Sequence, residues 1–369
     1  MFRFRNLLFL FVLSLVIYSC EGLKNSAINI FESSERARYE RSFPGSDSLL
    51  SNWKNAYETA KSTNLQIEDG FNATARKDST DTFALAYTLE LKKGENLVVE
   101  IENANQYKFF VDIIDNSQQP ESISQLLEYG KYSSFVRNSG KHTVIIQPEI
   151  QFQGNFSFKI YTQPSIGFPV AGKGNRDIQS FWGANRDGGA RRHEGVDIFA
   201  KRGTPVVAAV DGRISRTGNT GLGGKQVWLR DGILGNSLYY AHLDSIMVQS
   251  GTSVKIGDTL GTVGSTGNAE GGAPHLHFGI YSVGGAVDPY PYIRKRSVPH
   301  FRKGSFQNSG KILAGRNLRL GPGLDYTIST ELKNSISTKV LAAAGDWLHI
   351  QTEAGQEGFI SKSRILRGE

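Results

Sequence analysis

Pro274-His275-Leu276-His277-Phe278-Gly279-Ile280-Tyr281 is the stretch on which the fold of this chain turns. Proline is excluded from a helix interior, and Phe278, Ile280 and Tyr281 favour extended backbone. On a strand, residues two apart share a face. His275 and His277 are therefore expected to point one way, while Leu276 and Phe278 point into the opposite layer. Two imidazoles on one face of a sheet offer a cation two neutral nitrogen donors.

Working outward, His193-Glu194-Gly195-Val196-Asp197 places a histidine four residues before an aspartate, which can add a hard anionic oxygen. His242 follows a predicted strand, Ser237-Leu238-Tyr239-Tyr240-Ala241. Two histidines, one carboxylate and an open fourth position form the donor set of a catalytic zinc site, whereas a structural site is closed by four protein ligands. The surrounding unit, 164–298, is rich in glycine and in short β-like runs such as Pro205-Val206-Val207 and Gln226-Val227-Trp228-Leu229. Its Asp-Gly steps (Asp187-Gly188, Asp211-Gly212, Asp231-Gly232) mark tight turns between strands. Gly221 to Lys225 lacks the Gly-Lys-Ser/Thr ending of a phosphate loop and reads as a hairpin turn.

The residues flanking these histidines resemble the lysostaphin-type (LytM-like) zinc metallopeptidase family. His193-x-Gly195-x-Asp197 with Gly203-Thr204-Pro205-Val206, Tyr240-Ala241-His242-Leu243, and Pro274-His275-Leu276-His277-Phe278 match its motifs, preceded by Phe181-Trp182-Gly183. The resemblance implies that His193, Asp197 and His277 hold one zinc ion. It makes His242 and His275 the catalytic pair, handling the water proton and the developing oxyanion. Trp182 and Tyr240 are expected at the substrate. Two departures bear on substrate preference. The segment Ser265 to Pro274 is longer than the usual family turn, and Gly279 stands where many members carry an acidic residue. His142, His300 and His349 lie outside the constellation and read as structural residues.

The flanking regions predict an all-β, multidomain chain. From 79 to 163 the pattern alternates with period two (Phe83, Leu85, Tyr87, Leu89, Leu91, then Leu97, Val99, Ile101), which predicts a β-sandwich. Residues 309–369, with Leu318-Arg319-Leu320-Gly321-Pro322-Gly323, Trp347-Leu348-His349-Ile350 and Gly358-Phe359-Ile360, resemble bacterial SH3-like domains, which implies a small barrel that binds wall peptides. Residues 21–78 read as a polar tether with one short helix, marked by Leu49, Leu50, Trp53, Tyr57 and Ala60 at helical spacing.

Residues 1–20 read as a signal peptide. Arg3 and Arg5 precede an uncharged run, Leu7 to Tyr18, too short to span a bilayer. The run ends at Ile17-Tyr18-Ser19-Cys20, which resembles a lipoprotein box, and Cys20 is the sole cysteine of the 369-residue chain. Cys20 is thus the expected lipidation site, and no intrachain disulfide can form. Neither Glu21 nor Gly22 resembles the aspartate signal that retains lipoproteins at the inner membrane, so outer-membrane attachment is expected. The net charge of +7, from 42 basic and 35 acidic side chains, suits an acidic polymer or anionic surface and lacks the dense basic run of a nucleic-acid binder. The expectation is an exported, lipid-anchored zinc endopeptidase acting on peptidoglycan, with the D,D cross-link favoured. The alternative is a non-catalytic activator of a cell-wall amidase, or a wall-binding module. Family members of the activator kind lack zinc ligands.

Overall fold

A computed structural model describes residues 34–78, 81–102, 107–116, 122–127, 130–302 and 307–367. Strands dominate in three units, a sandwich, a central β domain and a C-terminal barrel.

The sandwich begins earlier in the chain than its alternation suggests. Phe71–Lys77 pairs antiparallel with Gly154–Pro164, which continues to Glu95–Ile101 and Lys131–Phe135. The facing sheet is built from Leu85–Leu91, Gly140–Pro148, Phe109–Asp115 and Ser122–Leu126. Tyr87, Leu97, Val99, Val111, Val144, Phe158 and Ile160 fill the space between, all essentially inaccessible to water.

The segment expected to be a tether is folded from residue 34 onward. Helices Glu35–Ser42 and Asp47–Lys61 are capped by Ser34 and Ser46, whose hydroxyls accept the N–H groups of Ala37 and Leu49. They cover the outer face of the second sheet. Trp53 is fully buried with Tyr39, Phe110 and Ile150, and its indole N–H donates to the Pro148 carbonyl at 2.9 Å. Ala60 meets the small side chains Ala84 and Ala86. Arg36 is buried against the Tyr57 ring, 3.9 Å from its centroid, and donates to Asp112 and Gln147. The helical spacing was visible in the sequence, but the sheet face that receives the helix lies far along the chain.

The barrel is not strung from the sandwich. Its strand Ile336–Ala344 pairs directly with Phe71–Lys77 (Thr74↔Ala343, Ala75↔Ala342), so one sheet runs through both units. Leu341, Ala342 and Phe359 join the sandwich core beside Phe71 and Tyr87. There His349 is fully buried, with Nδ1 3.1 Å from the Tyr87 hydroxyl and Nε2 3.1 Å from Glu357 Oε2.

The central domain docks on the sandwich through Tyr292, whose ring lies where a Cβ on Gly94 would be, at 2.2 Å. Gly94 also has φ +99°, so both space and backbone conformation require glycine there. Arg296 donates to Asp69 and Glu95 across the same junction. The domain is an antiparallel sheet in which Lys225–Asp231, Ser237–Ala241, His275–Ser282 and Val196–Phe199 lie side by side. A three-stranded sheet of Pro205–Val207, Thr259–Val263 and Leu243–Ile246 completes it. Val196, Ile198, Val227, Leu229, Leu238, Tyr240, Leu276 and Phe278 form its core face. The opposite face carries the site.

Candidate metal centre

Strand parity builds the centre. Across the central sheet, Asp197 pairs with His277, and His277 pairs with Ala241. With Ile198, Leu276 and Phe278 turned into the core, Asp197, His275 and His277 must emerge on the open face. His193 joins them from the turn before Val196–Phe199, its N–H donating to the Ala184 carbonyl at 2.8 Å. Gly195 sits between because the His277 ring packs on its backbone. A Cβ there would lie 2.6 Å from His277 Cε1 and 2.6 Å from the Phe278 carbonyl oxygen.

The three groups converge. His193 Nε2 is 2.9 Å from Asp197 Oδ1 and 3.0 Å from His277 Nδ1, which is itself 3.0 Å from Asp197 Oδ1. Burial alone would raise the Asp197 carboxyl, but its close interactions with His193 and His277 outweigh that and hold it far below the usual carboxylate range. Burial lowers His277, keeping its imidazole neutral. An ionised carboxylate oxygen and two imidazole nitrogens aimed at one point are the donors a divalent cation takes. Tetrahedral zinc, with bonds of about 2.0–2.1 Å, needs such donors about 3.3 Å apart, so the trio fits after a spread of a few tenths of an ångström. Asp197 Oδ2 is engaged by Arg186 Nη2, which also donates to Ser180 Oγ at 2.8 Å. Oδ1 is left as the single oxygen aimed at the other two donors.

His242 and His275 stand beside the trio, with ring centroids 5.0 Å apart. Hydrogen bonding to carbonyl oxygens fixes tautomers, because such an oxygen only accepts. His193 Nδ1–H donates to Phe181 O at 2.9 Å, His242 Nδ1–H to Thr266 O at 2.8 Å, and His275 Nδ1–H to Ala273 O at 2.9 Å. In the neutral rings Nε2 therefore carries the lone pair. Burial lowers the His242 pKa to about 4, so it is an unprotonated base at neutral pH. His242 also has φ +62°, a costly conformation for a side-chain-bearing residue, and its N–H donates to Gly223 O at 2.8 Å.

The site opens into a cleft of about 830 Å³. All five residues of the constellation line it, but the two aromatic residues expected at the substrate do not. Tyr240 is fully buried, and its hydroxyl accepts the Ala209 N–H at 3.0 Å. Trp182 is half-buried away from the cleft lining. The aromatic wall consists instead of Trp228, Tyr239 and Tyr281, with Trp228 and Tyr239 ring centroids 4.4 Å apart. Parity could have found it. Leu238 is a core residue, so Tyr240 shares its face and Tyr239 must turn to the open side. Arg186 had no comparable signal, since it reaches Asp197 from the separate hairpin Asn185–Arg186 to Arg191–Arg192.

Residues 191–289 match the model of peptidase family M23, and residues 314–365 match that of the bacterial SH3 domain. The chain carries a lysostaphin-type M23 peptidase domain and a bacterial SH3 domain. Among curated proteins it is similar to an L-Ala–D-Glu endopeptidase of Bacillus subtilis, 36% identical over 152 residues that cover 37% of this chain and 46% of that one. It is also similar to lysostaphin of Staphylococcus simulans, 41% identical over 186 residues, covering 46% of this chain and 37% of lysostaphin. A DD-carboxypeptidase/endopeptidase of Neisseria meningitidis is 35% identical over 142 residues, covering 38% and 30% respectively. The chain thus spans less than half the length of these relatives. Among solved structures, the catalytic domain of lysostaphin from S. simulans aligns at 35% identity, covering 32% of this chain and 92% of that one, with a TM-score of 0.29.

Proposed function

We propose that this chain is a zinc-dependent endopeptidase that hydrolyses peptide cross-links or stems of peptidoglycan, with the D,D cross-link as the favoured bond. The observation that carries the reading is the convergence of His193 Nε2, Asp197 Oδ1 and His277 Nδ1 at the floor of a cleft also lined by His242 and His275. Those three atoms would hold the metal. When bound, zinc supplies Lewis acidity that polarises a peptide carbonyl and makes water acidic near neutral pH. Everything else falls to the chain. His242 Nε2, unprotonated and oriented by Thr266, accepts the proton of the attacking water and returns it to the leaving amine. His275, half-buried and oriented by Ala273, would stabilise the developing oxyanion through Nε2 once that nitrogen has taken up a proton. Arg186 holds Asp197 so that one carboxylate oxygen faces the metal.

The names of the relatives cover three different bonds, L-Ala–D-Glu, glycyl-glycine and DD linkages, which supports cleavage of wall peptides as the shared activity. The barrel's likeness to bacterial SH3 domains supports a role in gripping the wall, as one body with the sandwich. Cys20 and the signal peptide lie outside the described residues. Export and lipid anchoring, with outer-membrane placement, belong to the proposal and are tested by alkyne fatty-acid labelling of wild type against Cys20→Ala. Equal labelling of the two would remove the anchor. Mass spectrometry of fragments released from defined cross-linked muropeptides by zinc-loaded protein tests the activity. New termini at the D,D cross-link are expected. Release of none would contradict the reading.

A further inference from the structure

Three guanidinium groups line one side of the cleft, and they are not equivalent. Arg186 pairs with Asp197, and Arg191 Nε pairs with Asp187 Oδ2 at 2.6 Å across its own hairpin turn. Arg192 is held by neutral acceptors only. Its Nη1 donates to Asn185 Oδ1 at 2.5 Å and to the Gly183 carbonyl at 3.3 Å. Among the described residues it pairs with no carboxylate. An exposed arginine is ordinarily a solvated, swinging charge, but this one is pinned by the strand it pairs with (Asn185↔Arg192). It also directly precedes His193, whose N–H and carbonyl are bonded to Ala184 and Gly183. The guanidinium is thus registered to the metal centre, and among the described residues its Nε and second Nη have no hydrogen-bond partner. A planar guanidinium with two free parallel donors is the group that receives a carboxylate in bidentate fashion.

We infer that Arg192 is a specificity residue that takes a free carboxylate of the substrate peptide. The cleft then selects stem peptides bearing a carboxylate close to the scissile bond over uncharged peptides such as oligoglycine. The inference rests on the peptidase reading above. Trp228, Tyr239 and Tyr281 line the same cleft, and their rings suit the aliphatic part of the same residue. The remaining carboxylate lining the cleft, Glu194, acts on Tyr281 and Arg191.

The test uses the zinc-loaded full chain and two synthetic cross-linked stem peptides, one with free carboxylates flanking the scissile bond and one with the same groups as carboxamides. Wild type should show kcat/KM about ten- to a hundredfold higher for the free acid, the size expected of a charge-assisted hydrogen-bonded pair. The ratio should fall as salt rises. In Arg192→Gln it should collapse to about one with zinc content retained, and Arg192→Lys should keep part of it, as expected for a retained charge without the fork. Arg191→Gln should keep the full ratio. A wild type that cleaves both peptides equally overturns the inference and leaves the peptidase reading standing. Equal loss on both peptides in Arg192→Gln, with the ratio preserved, would make Arg192 a prop of the hairpin and overturns it too. Cleavage of neither peptide by wild type overturns the peptidase reading and the inference with it.

Discussion

Two of the regions that bring a histidine to a carboxylate differ in everything that makes a site. At the barrel–sandwich junction, His349 lies between Glu357 and the Tyr87 hydroxyl, fully buried, with both ring nitrogens engaged. In the central cleft, His193 and His277 meet Asp197 with donor atoms converging at 2.9–3.0 Å, and the neighbouring Nε2 atoms of His242 and His275 keep their lone pairs. The first cluster spends its hydrogen-bonding capacity on the protein itself. The second holds capacity in reserve, in a cleft of about 830 Å³, for a cation and a reactant. Proximity of histidine and acid therefore decides little. Convergence of unused lone pairs on accessible space decides the matter.

The largest effects should separate the clusters outright. His193→Ala or Asp197→Ala should abolish both zinc content and wall-peptide hydrolysis, because each removes one of three donors. Measured metal and turnover should fall together. His242→Ala and His275→Ala should keep zinc but lower turnover roughly 10²–10⁴-fold, the usual contribution of a positioned acid or base. Zinc lost from His275→Ala would exchange the roles of the two histidines in His275-Leu276-His277.

Stability should respond the other way round. Trp53→Ala empties the helix–sheet core and should cost about 3–5 kcal/mol in denaturant unfolding, with the zinc site untouched. His349→Ala strands Glu357 and the Tyr87 hydroxyl and should cost about 2–4 kcal/mol, with zinc content unchanged. A loss of zinc with either would mean that the centre depends on the junctions more than its local bonding shows. Tyr240→Phe should give the smallest effect, about 1 kcal/mol, from the one hydrogen bond accepted from Ala209. Its kcat/KM should stay within twofold, whereas a large drop would return Tyr240 to the substrate.

The contrast also marks what the sequence could reveal. The cleft constellation was legible for two reasons. Strand parity places His275 and His277 together, and the resemblance of the flanking motifs to the lysostaphin-type family implied that His193, Asp197 and His277 are the ligands and His242 and His275 the catalytic pair. The same parity, applied between Leu238 and Tyr239, would have placed Tyr239 rather than Tyr240 in the cleft. What was not legible depends on contacts distant in sequence. The face of Asp47–Lys61 that carries Trp53 was apparent, but not the sheet that buries it, so the segment looked like a tether. The pairing of Thr74 with Ala343, which makes the barrel and sandwich one sheet, leaves no local trace in either strand. Arg186 belongs here too, since its partner Asp197 is reached only through the fold of a hairpin.

Zinc stoichiometry, followed with turnover through chelation and stepwise return of metal, tests the central claim most directly. The account predicts close to one zinc per chain and loss of hydrolysis on its removal. Recovery should track zinc added back, in wild type and equally in His349→Ala. A thoroughly chelated protein that still cleaves wall peptides at the full rate, or an Asp197→Ala variant that retains its zinc, would contradict it.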